Sequence, residues 1–206
     1  MPIGLFGKKI GMTHIFDDSG SILPVTLVKA EECQVSQIKT INTDGYNAIQ
    51  VAYRKTLPSK ISKPLLGHLK KSGDNVFQSF NEFRVDNLQN FKLGQVIDLS
   101  SCEVGKKVSV VGKSIGKGFA GNQKRHNFAR GPMTHGSKNH RLPGSVGAGT
   151  TPGRVFPGKK MAGQLGYQTT TKNSEILFIN NEEQILVLKG SLPGKQNSVL
   201  KILFKD

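Results

Sequence analysis

Residues 10–30, IGMTHIFDDSGSILPVTLVKA, contain two apolar runs separated by a polar turn sequence. The runs at 10–16 and 23–30 each have the length of a strand. Between them, Asp17-Asp18-Ser19-Gly20 has the residue types that turns favour. The stretch therefore predicts a β-hairpin near the start of the chain.

Short apolar runs between turn residues recur along most of the chain. They predict further strands at 33–40, 48–55, 96–99, 107–111, 175–179, 184–188 and 198–204. The turns between them are predicted at Asp44-Gly45, Asn180-Asn181-Glu182 and Pro193-Gly194. Short strands at close spacing are typical of a barrel or a sandwich, so the predicted fold class is mainly β.

One helical stretch interrupts this pattern. Residues 63–71 place Leu65, Leu66 and Leu69 on one face of a helix, at i, i+1 and i+4.

The positive charge of the chain is concentrated in one segment. The 206 residues have a net charge of +15, and residues 104–174 contain 13 Lys and Arg but no Asp or Glu. This window also holds 14 of the 24 glycines and three of the five histidines. The other 135 residues have a net charge of only +2. A nearly neutral body therefore carries a long, glycine-rich cationic insertion.

This cationic segment has too few apolar residues for a core of its own, since 19 of its 71 positions are apolar. Like charges repel, and little apolar burial is present to offset the entropy of ordering. Loops of this length are uncommon unless they are functional or disordered. Scattered residues nevertheless suggest packing: Phe119, Phe128, Met133, Val155, Phe156, Met161 and Leu165. We expect a polyanion to order the segment, with a flexible tail-like loop as the alternative. About 40 residues running out and back would reach about 60 Å.

The rest of the composition excludes several protein classes. Hydrophobic residues make up 36% of the chain, which is too many for a wholly disordered basic tail. No apolar run has the length of a membrane span, and residues 1–9 resemble neither a signal nor a transit peptide. Cys33 and Cys102 are far apart and form no CxxC pair. We therefore expect a soluble protein of a reducing compartment, with no membrane partner.

Two glycine-rich strings partly match nucleotide-binding motifs. Residues 116–121, GKGFAG, fit the dinucleotide-binding pattern GxGxxG. That motif also needs an acidic residue about 20 positions later, whereas the first acidic residue after this string is Glu175. Residues 153–160, GRVFPGKK, resemble a phosphate-binding loop but end in lysine where a hydroxyl should hold Mg²⁺, and Pro157 removes an amide. Neither string predicts a nucleotide site.

No residue set suggests catalysis or metal binding. His126, His135 and His140 have no cysteine or carboxylate near them in sequence, and their cationic surroundings disfavour a dication. We expect no catalytic residue, metal, cofactor or small-molecule substrate.

Nucleic acid is the partner that fits the charge, because Lys and Arg gain affinity by neutralising phosphates. An extended, glycine-rich cationic chain suits irregular RNA better than a regular DNA groove. The candidate RNA-binding residues are Lys113, Lys117, Lys124, Arg125, His126, Arg130, His135, Lys138, His140, Arg141, Arg154, Lys159, Lys160 and Lys172. General polyanion or DNA binding is the alternative.

The order of several motifs resembles one known family. Residues 112–125 read GKSIGKGFAGNQKR, the start of the chain reads GLFGKKIGMT at 4–13, and THGS, HRLPGS and PGKKMAG follow at 134–137, 140–145 and 157–163. Together they resemble the ribosomal protein L-three family of the large subunit, in its bacterial or organellar type. The match extends over essentially the whole chain.

This resemblance implies a translation-protein-like β-barrel with a long basic glycine-rich loop insertion. The body would comprise residues 1–111 and 173–206, and residues 112–172 would form a loop that penetrates rRNA. The loop would extend toward the peptidyl-transferase region, with its apex at Gly144, Ser145, Gly147, Ala148, Gly149, Thr150 and Gly153.

The implied function is that of a structural, non-enzymatic constituent of the large ribosomal subunit that binds large-subunit rRNA directly and supports early subunit assembly. Its other partners would be neighbouring large-subunit proteins. The implied location is the ribosome, in a bacterial cytoplasm or in a plastid stroma with the gene carried in the plastid.

Two positions and one short segment depart from the family pattern. Cys102 stands where Phe or Leu is usual, and Ser109 stands where Asp or Asn is usual. Ala148-Gly149-Thr150 replaces a glutamine-containing segment, so the glutamine methylation found in some relatives has no acceptor at Thr150.

Overall fold

Six antiparallel strands form a closed barrel in the computed structural model, which describes residues 4–17, 19–99 and 102–204. The barrel order is β1-β12-β7-β10-β11-β2, and a second sheet has the order β5-β4-β3-β6. The strands are β1 Gly4–Phe16, β2 Ile22–Ala30, β3 Cys33–Lys39, β4 Ala48–Lys55, β5 Phe77–Arg84, β6 Val96–Ile97, β7 Lys107–Lys113, β8 Phe119–Ala120, β9 Gly163–Gln164, β10 Thr169–Asn180, β11 Ile185–Lys189 and β12 Val199–Phe204. The helices are α1 Ile41–Asp44, α2 Lys63–Leu69 and α3 Asn122–His126, with a 3₁₀ turn at Pro58–Lys60. The prediction of a mainly β protein is confirmed.

The predicted hairpin is formed by β1 and β2. Their pairing runs from Phe16 opposite Ile22 to Gly7 opposite Ala30, with a bulge between Lys9 and Gly11. The amide of Gly20 donates to the Asp17 carbonyl at 2.7 Å, and Gly20 has a positive φ of 77° that glycine adopts without strain. Asp18 of the predicted turn lies outside the described residues.

Strand β1 contributes to two hydrophobic cores. Successive side chains of a strand point to opposite faces, so Leu5 and Phe6 are buried on different sides. Leu5 packs in the barrel interior with residues such as Val110, Ile176 and Leu188. Phe6 packs against the second sheet, where its ring stacks on Tyr53 with centroids 3.8 Å apart.

Glycines allow the strands next to β1 to approach closely. Gly7 lies opposite Leu200 of β12 and opposite Ala30 of β2. A Cβ atom at Gly7 would lie 2.5 Å from Val28 Cγ1 and 3.1 Å from the Lys29 carbonyl oxygen. A side chain at this position would therefore force apart strands that the barrel needs in contact.

A buried lysine fixes a loop of the barrel. Lys9 donates from Nζ to the carbonyl oxygens of Leu192 at 2.8 Å and Gly194 at 3.1 Å. Burial, and secondly the charge of Lys172, lower the pKa of Lys9. The two carbonyls compensate for the water that the ammonium group loses, and they hold the loop between β11 and β12 in place.

The predicted helix is present as α2, and its apolar face is only partly covered. Only Leu69 is buried, against Ala52 and Phe77, while Leu65 is 39% exposed. Helix α2 has fewer than two full turns, and it contacts the sheet at its C-terminal end through Leu69.

Strand β5 was not predicted. Its phenylalanines, Phe77, Phe80 and Phe83, are three residues apart, which is not the alternation of a strand. Polar residues occupy inward-facing positions between them: Asn81 is half-buried and accepts a hydrogen bond from Lys201 at 2.6 Å. The same ammonium group lies 4.2 Å from the centroid of the Phe83 ring.

The chain divides into two compact units, Met1–Lys113 with Thr169–Asp206, and Ser114–Gln168. In the first unit, β7 and β10 pair from Lys107 opposite Glu175 to Lys113 opposite Thr169. Both strands extend beyond the predicted runs at 107–111 and 175–179. The β-branched residues Thr169, Thr170 and Thr171 suit this extension, because branched side chains favour strands.

Replacing Gly7 with alanine should lower the free energy of unfolding by about 1–3 kcal/mol, the usual cost of overpacking a tight site. Gly11→Ala in the same strand is the matched control, since a Cβ there has no atom within 4 Å. It should change stability by less than about 0.5 kcal/mol. Urea unfolding measures both, and equal effects of the two substitutions would show that close approach at Gly7 is not limiting.

Acid should destabilise the second sheet through Glu82. The hydrogen bond from Lys39 at 2.9 Å, with a further one from Tyr46 at 2.8 Å, lowers the pKa of this carboxyl, although burial opposes the shift. The folded state therefore keeps Glu82 charged where the unfolded chain already takes up a proton. The stabilisation is present above the unfolded pKa of 4.5 and is lost as the pH falls through the lower folded pKa.

When the pH is lowered from about 7 to about 3, we expect the melting temperature of Glu82→Gln to fall less than that of the unsubstituted chain. Glu103→Gln is the control, because Glu103 is 70% exposed and its ion pair is with Lys106, three residues away. Melting curves at each pH provide the measurement. The interpretation fails if Glu82→Gln and the unsubstituted chain lose the same number of degrees.

Candidate nucleic-acid interface

The unit Ser114–Gln168 is closed at its base by a short antiparallel ladder. Strands β8 and β9 pair Phe119 with Gln164 and Ala120 with Gly163. The Lys117 amide donates to the Leu165 carbonyl at 2.8 Å, and the Leu165 amide donates to the Gly118 carbonyl at 2.9 Å. These bonds bring the two ends of the unit together.

Helix α3 is tied to the residues just before β9. Asn122, buried, donates from Nδ2 to the Lys160 carbonyl at 3.3 Å. Arg125 and His126 both donate to the Met161 carbonyl, at 2.8 and 2.9 Å. A carbonyl can only accept, so Nε2 of His126 carries a proton. Two candidate RNA-binding residues thus also hold the backbone of their own unit.

A second closure joins residues 131 and 140. The Gly131 amide donates to the His140 carbonyl at 3.0 Å, and Nδ1 of His140 donates to the Pro132 carbonyl at 3.0 Å. A Cβ atom at Gly131 would overlap the carbonyl oxygen of Asn139. Glycine is therefore required here for space.

The predicted apex is exposed throughout. Gly144, Ser145, Gly147, Ala148, Gly149, Thr150 and Gly153 are all accessible to solvent. Two local bonds shape it, from the Gly153 amide to the Gly149 carbonyl at 3.2 Å and from the Ser145 hydroxyl to the Gly147 carbonyl at 3.2 Å. The Thr151-Pro152 peptide bond is cis.

Most candidate cations are on the surface. The exposed ones in the second unit are Lys117, Lys124, Arg130, Lys138, Arg141, Arg154, Lys159 and Lys160, and His135 is also exposed. Arg125, His126 and His140 are half-buried. Ser114–Gln168 contains no Asp or Glu, so none of these charges can pair with a carboxylate of its own unit.

Two further candidates belong to barrel strands. Lys113 is the last residue of β7 and is exposed. Lys172, on β10, is also exposed and donates to the Ser191 hydroxyl at 2.9 Å. The candidate set is therefore divided between the two units.

The apolar residues of the second unit do not form a core. Phe119, Met133, Val155, Phe156 and Met161 are exposed, and only Phe128 and Leu165 of the seven expected to pack are half-buried. Among the described side chains of Ser114–Gln168, only those of Ala120 and Asn122 are buried. The expectation of packing was wrong for five of the seven, because a segment held by backbone hydrogen bonds has no interior in which to bury them.

Comparison with known proteins identifies the family. The sequence profile described as Ribosomal protein L3 matches residues 25–185. The chain is 65% identical over 206 residues, all of both chains, to "Large ribosomal subunit protein uL3c" of Emiliania huxleyi. It is 54% identical to the protein of that name in Porphyra purpurea, over 98% of this chain and 99% of the relative. "Large ribosomal subunit protein uL3" of Prochlorococcus marinus is 52% identical, over 98% and 94%.

The chain belongs to the ribosomal protein L3 family. Its longest family-like string, residues 112–125, runs from the end of β7 through β8 into α3. This string therefore contains one half of the ladder at the base of the second unit.

Ser109 and Cys102, which we expected to depart from the family pattern, are both accommodated by their surroundings. Ser109 donates to Oδ1 of Asn173 on the neighbouring strand at 2.6 Å. Cys102 packs against the barrel core, and burial raises the pKa of its thiol to about 11. For Cys33 burial raises the thiol pKa to about 12, so both thiols are protonated at neutral pH.

The two nucleotide-motif strings lack the structure that their chemistry needs. A dinucleotide site needs a parallel βαβ unit, whereas β7, which precedes residues 116–121, is antiparallel to both of its neighbours. Residues 153–160 contain no strand and no helix. Among the described residues, no group of three His, Cys, Asp or Glu could hold a metal ion. No helix in the described ranges is long and apolar enough to span a membrane.

The closure at Gly131 should be sensitive to a single methyl group. Gly131→Ala should speed amide exchange at residues 131–140 by roughly 5- to 150-fold, because overlap with Asn139 costs about 1–3 kcal/mol. Gly149→Ala is the control, since a Cβ there lies in open space. Exchange measured by mass spectrometry should be unchanged in β4 and β11. Equal protection of residues 131–140 in both variants would contradict the role of this closure.

Proposed function

We propose that this protein is a structural, non-enzymatic constituent of the large ribosomal subunit that binds large-subunit rRNA directly. The observation that carries the proposal is the unit Ser114–Gln168, which has nine Lys and Arg residues, no carboxylate and almost no buried side chains. Such a unit gains little from its own packing and much from phosphates around it. The names of its relatives as large-subunit proteins agree with this function.

The proposed rRNA contacts are the fourteen residues predicted from the sequence. Eleven of them are Lys or Arg. Ten of these eleven, all except Arg125, are exposed and are distributed along the segment, which suits phosphates on several sides better than one flat surface. His126, Arg125 and His140 have a second role in holding the backbone. Their contribution to RNA binding therefore includes presenting the neighbouring cations.

The division of the chain into a β-barrel body, 1–111 and 173–206, and an rRNA-penetrating loop, 112–172, is part of the same proposal. The body would be a translation-protein-like barrel that contacts rRNA and neighbouring proteins at the subunit surface. At the apex, small residues such as Gly147 and Ala148 would let the backbone enter between rRNA helices, toward the peptidyl-transferase region. Early binding during assembly follows, since later-folding rRNA could close around the loop.

The proposed location is the ribosome of a plastid or of a bacterial cytoplasm. The relatives in Emiliania huxleyi and Porphyra purpurea have the name uL3c, and the relative in Prochlorococcus marinus has the name uL3. All three are similar to this chain over nearly its whole length.

General polyanion or DNA binding is the rival function, because the same charge would attract any phosphate chain. The rival predicts that the protein leaves the subunit when salt screens the charges. Our proposal predicts that it stays with the assembled large subunit through high-salt washing and sedimentation, because rRNA closed around the loop would hold it there, whereas binding to free rRNA is sensitive to salt.

Salt titration tests the phosphate contacts. If eight to ten cations touch phosphates, the logarithm of the rRNA association constant should fall with log salt at a slope of about −6 to −9. The variant Lys138→Gln/Lys159→Gln/Lys160→Gln should reduce that slope by about 2 to 3, since each lost contact removes about 0.7 to 0.9.

The matched control removes the same charge from the body, as Lys60→Gln/Lys63→Gln/Lys70→Gln. These lysines are also exposed and lie outside the second unit. Their removal should leave the slope within about 1 of the starting value. A slope near zero for the unsubstituted chain, or equal losses in the two variants, would refute the proposed interface.

A further inference from the structure

The Phe119 ring is the most exposed large apolar side chain of the protein within the described residues, with 78% of its surface accessible. An aromatic ring in water loses the stabilisation that burial would give. Single exposed apolar residues are common on protein surfaces. Phe119 differs from them because it lies in the most highly charged part of the chain and because its backbone is held by strand pairing.

The backbone around Phe119 is held on both sides. It pairs with Gln164 in the ladder, and the next residue, Ala120, is 3% exposed. Adjacent residues of a strand point to opposite faces, so Ala120 points inward and Phe119 points outward. Asn122, buried and bonded to the Lys160 carbonyl, fixes the chain two residues further on. The ring is therefore presented without much backbone freedom left to lose on binding.

Cations lie on both sides of Phe119 in the sequence. Lys117 precedes it by two residues, and Lys124 follows on α3, and both are exposed. Phosphates held by these lysines would bring nucleotides to the ring. A protein partner would need an acidic surface to approach the same place, because the unit has no negative charge.

Phe156 provides a comparison within the same unit. It is 57% exposed, but the Arg154 guanidinium carbon lies 5.8 Å from its ring centroid. One face of Phe156 is thus already engaged in a cation–π contact. No such contact is made by Phe119 in the part of the chain that the structure describes, so its ring is the more open of the two.

We propose that Phe119 is a stacking platform for an unpaired base of the rRNA. The inference rests on the proposed function and adds a base contact to what would otherwise be phosphate neutralisation. Unpaired bases stack on aromatic side chains in irregular RNA, and every base offers a flat face. Lys117 and Lys124 would hold the flanking phosphates while the ring covers the base.

The test uses the full chain and large-subunit rRNA transcribed in vitro, with dissociation constants measured over a range of salt. Phe119→Ala should weaken binding roughly 5- to 150-fold, the range for losing one stacked base. Its salt slope should stay the same, because no phosphate contact is removed. Phe119→Tyr, which keeps a flat ring, should bind within about twofold of the unsubstituted chain, and Phe119→Leu should bind like Phe119→Ala.

Phe178→Leu is the matched control, since Phe178 is 56% exposed but lies on β10 in the other unit. The affinity of this variant for rRNA should equal that of the unsubstituted chain. Ultraviolet crosslinking should also give a nucleotide adduct on the peptide that contains Phe119, and Phe119→Leu should lose that adduct.

Equal affinities of Phe119→Leu and Phe119→Tyr would overturn the stacking role while leaving rRNA binding intact. The same conclusion would follow if Phe119→Ala bound rRNA normally but released a neighbouring protein from reconstituted subunits, because the ring would then dock on protein. Failure of the unsubstituted chain to bind rRNA with a steep salt dependence would overturn both the stacking role and the proposed function.

Discussion

The close approach of strands around Gly7 is the constraint on which the barrel depends. Strand β1 pairs there with β12 on one side and with β2 on the other, and no side chain separates them. Leu5 and Phe6 on the same strand enter two different cores. The position of β1 therefore sets both the interior of the barrel and the surface on which the second sheet packs. The other barrel strands fill the space that this arrangement leaves, with alternating residues such as Val108 and Val110 pointing inward.

The two units obtain their order in different ways. The first unit, which contains the barrel, has buried apolar clusters and ion pairs such as that of Lys39 with Glu82. The second unit has a two-residue ladder, a five-residue helix and a few hydrogen bonds from side chains to backbone carbonyls. Backbone hydrogen bonds fix local conformation but contribute little net stability. A surrounding polyanion would therefore stabilise the second unit far more than the first.

The sequence predicted the strands where alternation and turns coincide, and it predicted the location of the charge. Residues 48–55 form the strand expected, because Ala48, Val51 and Ala52 are buried and turn residues precede them. Strand β5 was missed because Asn81 and Glu82 form polar contacts that no hydropathy pattern shows. The dual roles of Arg125 and His126 were also beyond prediction, because the carbonyl that they contact belongs to Met161, more than thirty residues away. The outward orientation of Phe119 required the register of a two-residue ladder.

The pairing of Lys113 with Thr169 has a consequence for how such proteins change. The inserted unit leaves the barrel and returns to it at directly opposed positions on adjacent strands, so its length does not enter the geometry of barrel closure. Lengthening a loop whose ends are already fixed costs little free energy, because closure entropy grows only with the logarithm of its length. The barrel can therefore serve as a scaffold onto which insertions of different size and charge are grafted, by evolution or by design.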